Sequence, residues 1–193
     1  RHLWTSLLIG LPLAFTLPNL FRRLFGEGAL SSALIPVLTE ERVNKDSEAG
    51  FQLLNRTLTR LFLILSILCV AVLILAGAVI SSGKLEGSRY AEAAELSLLL
   101  FPYVIPICLA ALLAGALQVI GRFFIPAATP MLLNVCMIVF LGGPGLWFGE
   151  TPFDKALWLS VGGLVGGALQ FIFPAIDLYR QGWRPSLDFS SDS

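Results

Sequence analysis

The sequence is poor in charged residues and has a single histidine. Only 13% of its 193 residues are charged, about half the share of roughly 25% that is typical of soluble domains. The formal net charge is zero, so no basic surface for nucleic acid is indicated. His2 is the one histidine, which argues against histidine-based metal ligation and against a serine–histidine–aspartate triad.

The cysteines and acidic residues also lack the spacing that chemistry would need. Cys69, Cys108 and Cys136 lie in apolar runs without a CxxC or Cys/His pattern, so neither a zinc site nor a disulfide framework is predicted. HExxH, GxSxG and paired-carboxylate arrangements are missing too. An intramembrane enzyme is therefore the least favoured class, and no catalytic residue, metal or cofactor is predicted.

Long apolar runs dominate what is present. Hydrophobic residues make up 56% of the chain and the mean hydropathy is +0.81, which indicates an integral membrane protein. Residues 61–80 contain no charge, and as a helix they would measure about 30 Å, the thickness of the hydrocarbon core. We predict an all-α polytopic membrane helix bundle, a single domain over 1–193, with about five spans at approximately 3–38 (broken), 61–80, 96–120, 123–141 and 156–176.

Prolines and glycines modify these spans. Pro12 and Pro18 remove backbone donors from the first span, so a discontinuous helix is expected there. The two residues 121–122 make a very short turn between the third and fourth spans, which predicts neighbouring antiparallel helices. The last span carries small residues in overlapping small-xxx-small pairs, which predict close helix contact; they are Gly162, Gly163, Gly166 and Gly167.

The basic residues suggest an orientation. The polar stretch 40–60 is predicted to be a loop followed by a helix start. Seven Lys/Arg residues fall on its side of the membrane, namely Arg42, Lys45, Arg56, Arg60, Arg122, Arg180 and Arg184. Four fall on the other side, namely Arg1, Lys84, Arg89 and Lys155. The positive-inside rule then makes 40–60 a cytoplasmic loop and 177–193 a cytoplasmic tail. A native protein that starts in the cytoplasm would need one more span upstream, so the chain is interpreted as a fragment.

The stretch 21–38 places Arg22, Arg23 and Glu27 inside an apolar sequence. Each ionised group at that depth costs roughly 2.5 to 3.5 kcal/mol on insertion scales. On a helix, Arg23 and Glu27 share a face and can neutralise each other, whereas Arg22 lies about 100° away and would need another anion. A half-helix restarting near Asn19 would aim its positive end into a cavity. We favour paired charges that line a polar cavity over charges that snorkel to an interface.

Two segments carry a family resemblance. FTLPNLFRRLFGEGALSSALIPVLTE and LFPYVIPICLAALLAGALQVIGRFFIPAATPMLLN resemble the MurJ/MviN lipid II flippases of the multidrug/oligosaccharidyl-lipid/polysaccharide exporter superfamily. The resemblance covers essentially the whole chain. It implies the second through sixth of fourteen helices, part of the N-terminal lobe of a two-lobed transporter.

The resemblance also implies a function. Lipid II, an undecaprenyl-diphosphate-linked disaccharide pentapeptide, would be moved across the bacterial inner membrane for peptidoglycan synthesis. Its partners would be lipid II, the lipid bilayer and the missing second lobe of the same protein. Arg22 matches a cavity arginine of the family, Glu27 matches an important acid, and Arg23 matches an arginine of less clear role; with Asn19 they form the expected substrate-binding set. The fragment alone is expected to be inactive.

The sequence departs from the family pattern at one informative place. The segment LLIGLPLAFTLPN lacks the acidic residue that usually precedes the family's AFxLPN motif, so gating by that acid does not carry over. Two alternatives stay open. One is another lipid-linked polysaccharide or drug exporter of the same superfamily, and the other is a membrane interaction or scaffold protein that uses the glycine-rich last span.

Overall fold

A computed structural model describes residues 20 and 23 and the ranges 29–44, 47–82 and 98–189. The described elements are all helices, and their bounds are as follows: α1 Ala29–Asn44, α2 Ser47–Ser81, a 3-10 turn Phe101–Tyr103, α3 Val104–Val119, α4 Phe124–Gly142, α5 Pro144–Trp147 and α6 Pro152–Arg180. The prediction of an all-α membrane bundle is confirmed.

Four helices are long and apolar enough to cross a membrane: Glu48–Ala78, Leu98–Val119, Phe124–Trp147 and Pro152–Arg180. Each overlaps one of the four later spans predicted from the sequence. The first predicted span, 3–38, falls mostly outside the described residues, and α1 contains its last part.

The polar stretch 40–60 differs from the prediction. It is helical at 40–44, where α1 ends, and at 47–60, where α2 begins, so the expected helix start is present but most of the expected loop is helical. The physical reason is a stripe of leucines. Leu54, Leu61 and Leu65 follow helical spacing and are all nearly inaccessible, so packing of this face holds α2 helical well before its charge-free run starts.

The core of the described bundle is built around α3. Leu112, Leu113 and Leu117 are fully buried, and α3 contacts α1, α2, α4 and α6. By contrast α4 is peripheral, and Met131, Val135 and Ile138 stand exposed along it. In a membrane-length helix such an apolar outer face is the surface that lipid covers.

The glycines of α6 allow close packing, as the sequence predicted. A Cβ added to Gly162 would lie 2.9 Å from Phe140 Cβ, and one added to Gly166 would lie 2.8 Å from Leu133 Cα. A Cβ on Gly167 would meet the ring of Tyr103. Because real Cβ atoms essentially never approach so closely, α4 and the 3-10 turn could not come this near to α6 if these positions carried side chains.

The turn between α3 and α4 is short, as predicted. Gly121 has a φ of 77°, a left-handed conformation that favours glycine. Arg122 Nε donates to Asp177 Oδ2 at 2.8 Å, and this carboxylate is buried. The pair ties the turn to the end of α6. Further along, Gln170 Nε2 donates to the carbonyl oxygen of Thr129 at 3.1 Å, which satisfies a buried amide between α4 and α6.

The chain beyond α6 is also ordered against the bundle. We call residues 183–189 the C-terminal strap. Asn55 of α2 holds it with three hydrogen bonds: its Oδ1 accepts from Trp183 Nε1 at 2.8 Å, and its Nδ2 donates to the Arg184 carbonyl at 2.8 Å and to Ser186 Oγ at 2.9 Å. Arg56 Nε pairs with Asp188 at 2.9 Å. The predicted polar tail therefore packs on α2 over this range.

We expect Asn55→Ala to release the strap. The substitution leaves the buried Trp183 N–H without its acceptor, and an unsatisfied buried donor costs about 1–3 kcal/mol. Limited proteolysis should then cut 183–189 faster than in the unchanged protein. Asn134→Ala is the matched control, since Asn134 is exposed on α4. Equal cleavage of the two variants would contradict the role given to Asn55.

Candidate functional site

The charged motif of residues 22–28, RRLFGEG, lies mostly outside the described residues. Arg23 is described and exposed. Asn19, Arg22 and Glu27 lie outside the described residues, so the predicted pairing of Arg23 with Glu27 and the cavity role of Arg22 stay predictions. What the structure does show is the helix that follows this motif directly.

Helix α1 is anchored by one face. Leu34 and Leu38 are buried, one turn apart on the side that meets α2 and α3. A Cβ added to Gly115 of α3 would lie 3.6 Å from Ile35 Cγ1, which is ordinary van der Waals contact. Helix α1 is therefore fixed to the core of the bundle by this face.

The opposite face of α1 is open. Ala33, Pro36, Val37 and Glu40 are exposed, and their spacing of three, four and seven places them on one side of a helix. No described residue covers this face. It is apolar from Ala33 to Val37 and ends at the carboxylate of Glu40, the first residue of the polar stretch 40–60.

Arg42 lies near the end of α1 and packs on the start of α2. Its Nε is buried and has no hydrogen-bond partner among the described residues. A Cβ on Gly50 would lie 2.5 Å from Arg42 Cγ, so the guanidinium stem passes directly over that glycine. From the sequence, Arg42 is predicted only as a positive charge in a loop, because no local pattern indicates that it packs on Gly50 of α2.

The comparisons with known proteins decide the family. A family model described as "Lipid II flippase MurJ" matches residues 11–192. The chain belongs to the MurJ lipid II flippase family. The matched range includes the whole RRLFGEG motif and every described helix, so the motif and the fold are assigned together.

Individual relatives agree with this assignment. The chain is 34% identical over 184 residues to a "Probable lipid II flippase MurJ" of Bdellovibrio bacteriovorus, with 90% of this chain and 34% of the relative covered. It is 36% identical over 173 residues to one of Rickettsia prowazekii, covering 83% and 31%. It is 35% identical over 166 residues to the "Lipid II flippase MurJ" of Burkholderia cenocepacia, covering 82% and 31%.

The chain thus spans about a third of the length of the curated relatives it matches. Membership of the family, with four membrane-length helices, makes it a multi-pass protein of the bacterial inner membrane. The family is one of transporters rather than of catalytic enzymes.

Proposed function

We propose that the protein carrying this chain is a lipid II flippase, which moves the undecaprenyl-diphosphate-linked peptidoglycan precursor across the inner membrane. The family match over 11–192 is the observation that carries this proposal. The charged motif lies within the matched range and resembles the same family. In this proposal the protein breaks and forms no covalent bond and uses no cofactor.

Within this function, Asn19, Arg22, Arg23 and Glu27 form the substrate-binding set. A diphosphate carries fixed negative charge, and a guanidinium can hold it with two parallel charge-assisted hydrogen bonds. The open face of α1, which continues the chain from this motif, supports a location beside the transport cavity. The second lobe of the same protein would provide the other wall.

The structure weakens the scaffold alternative. That hypothesis used the glycines of α6 as an association face for another protein. Instead α4 packs against Gly162 and Gly166, and Tyr103 packs against Gly167. The surface at these glycines is therefore already covered by other parts of the same chain. The other exporters of the superfamily differ in substrate, and the named family match favours lipid II over them.

Complementation tests the proposal. A full-length family protein carrying this segment should restore growth to cells depleted of their own lipid II flippase. The 193-residue chain expressed alone should insert but fail to restore growth, because alternating access needs two bundles around a shared site. Failure of the full-length protein at normal membrane level would overturn the proposed function. Rescue by the short chain would overturn the two-lobe argument.

The orientation can be tested separately. We expect the end of the chain to face the cytoplasm, because seven of the Lys/Arg residues fall on its side and four on the other. A fluorescent protein fused after Ser193 should therefore fluoresce in the cytoplasm. An alkaline phosphatase fusion at the same site, which requires export, should be inactive. Active phosphatase with a dark fluorescent fusion would reverse the topology.

A further inference from the structure

A cavity lies between α2, α3, α6 and the C-terminal strap. Its volume is about 460 Å³, within the range of roughly 300–1,000 Å³ that is usual for ligand sites. Leu58 and Phe62 of α2, Leu109 of α3 and Phe171 of α6 contribute apolar walls, and Trp183 of the strap closes one side. Its lining residues belong to α2, α3, α6 and the strap, and none of them belongs to the charged motif of residues 22–28.

The polar groups of this cavity are already engaged. Asn55 uses its side-chain amide on Trp183, Arg184 and Ser186. Thr59 Oγ1 donates to the Asn55 carbonyl at 2.8 Å and accepts from Asp188 N at 3.1 Å. What remains for an occupant is mainly apolar surface. The cavity is therefore suited to a hydrocarbon chain and not to a sugar or a peptide, whose polar groups would lose hydrogen bonds there.

The cavity also spans the boundary in α2 between its polar first part and its charge-free run. Asn55 and Thr59 lie before the charge-free run of α2 begins at residue 61, and Phe62 lies within it. Two arginines are sequence neighbours of residues that line the polar end: Arg56 follows Asn55 in α2, and Arg184 follows Trp183 in the strap. The Arg184 guanidinium has its Cζ 4.1 Å from the centre of the Tyr179 ring and donates to the carbonyl oxygens of Tyr179 and Trp183. The carboxylate of Asp188, bonded to Arg56, offsets one of the two arginines. The local balance is positive, which suits a phosphate.

We propose that this cavity holds one acyl chain of a bilayer phospholipid, with the lipid phosphate beside Arg56 and Arg184. The chain enters along Phe62 and Leu109 and fills the space beneath the strap. The bound lipid then packs against the cavity side of the strap, while Asn55 and Arg56 hold the strap through their hydrogen bonds. The lipid is thereby a structural ligand that fixes the end of α6 to α2. This role does not depend on which substrate the protein transports.

A matched pair of substitutions tests the site. Leu58→Trp fills the cavity from its α2 wall, whereas Leu63→Trp makes the same change on the same helix at an exposed position that does not line the cavity. The full-length protein would be purified with a defined phosphatidylglycerol and examined by native mass spectrometry after stepwise removal of detergent. Circular dichroism and thermal melting of both variants check that each is folded.

The unchanged protein and Leu63→Trp should each retain phosphatidylglycerol. Leu58→Trp should bind it about tenfold more weakly or worse, equivalent to about 1.4 kcal/mol or more. Should Leu58→Trp fail to fold, photocrosslinking from a diazirine at the end of the acyl chain replaces it: crosslinks at the buried Leu109 or Trp183 support the site.

Three results would overturn the proposal. The first is equal retention of lipid by the two variants. The second is crosslinking confined to exposed residues such as Ile74 and Ile138. The third is displacement of the phospholipid by undecaprenyl phosphate at equal concentration, which would assign the cavity to an isoprenoid chain. Because growth rescue is measured separately, loss of lipid retention and loss of transport are distinguishable.

Discussion

Replacing Arg22 by alanine in a full-length family protein carrying this segment should abolish lipid II transport without reducing membrane insertion. Charge-assisted hydrogen bonds to a diphosphate are about twice as strong as neutral ones. Alanine removes both the positive charge and the pair of parallel N–H donors. Arg22→Lys should retain part of the activity, because it keeps the charge but loses the paired geometry. Transport of lipid II and the membrane level of each variant would be measured side by side.

The neighbouring residues provide the controls for Arg22. Arg23→Ala should be milder, since Glu27 is expected to neutralise part of the charge of Arg23. Glu27→Ala should weaken turnover more than lipid binding, because the acid either holds Arg23 in place or balances the cavity charge when no lipid is bound. If both arginines only anchor the helix at an interface, Arg22→Lys will be silent and Arg22→Ala will lower the protein level. Full transport by a normally inserted Arg22→Ala protein would remove the cavity role.

The second large effect is expected at the contact between α4 and α6. Gly166→Ala places a Cβ 2.8 Å from Leu133 Cα, so backbone must move and not merely a flexible side chain. Overpacking of this kind costs typically about 1–3 kcal/mol. We expect a lower midpoint of thermal unfolding in detergent and faster proteolysis between α4 and α6.

Gly77→Ala is the matched control for Gly166→Ala. A Cβ at Gly77 meets nothing within 4 Å, and alanine is the better helix former by about 1 kcal/mol. This variant should be neutral or slightly more stable, so the two alanines should shift the unfolding midpoint in opposite directions or differ clearly in size. Equal shifts would show that helix propensity, not the contact with Leu133, determines stability here.

Several parts of the fold could be predicted because one local property decides them. A run such as 61–80 is long and uncharged, and in a bilayer the backbone of such a run must form a helix. The glycines of α6 were recognised from their four-residue spacing alone. That spacing predicts close contact with another helix, since small residues let two backbones approach, and the structure adds that the partner is α4.

The prediction for 40–60 failed because polarity does not define the end of a helix. The leucine stripe of α2 crosses this polar stretch, and its partners lie in other helices. Asn55 illustrates the same limit. Its hydrogen-bond partners Trp183, Arg184 and Ser186 are more than a hundred residues away, so no local pattern marked it as the residue that holds the strap.

The residues of the candidate site can be recognised from the sequence, but their roles cannot. Arg22 and Glu27 stand out from the amino-acid sequence alone, because ionised groups in an apolar run are costly and are retained for a reason. Their proposed roles depend on what faces them across a cavity, and the proposed function assigns that wall to the second lobe. The open face of α1 is the feature the structure adds, and it is recognised only because Leu34 and Leu38 are buried on the other side.

Translocation of lipid II by the purified protein is the measurement that decides whether it is a lipid II flippase. A purified full-length family protein carrying this segment would be reconstituted into vesicles with lipid II, and the lipid II exposed on each leaflet would be followed with an enzyme that cuts it only from outside. The account predicts that lipid II in the inner leaflet becomes accessible with the unchanged protein and stays protected with Arg22→Ala. Vesicles in which lipid II stays protected with the unchanged protein, while another lipid-linked oligosaccharide is moved, would contradict it.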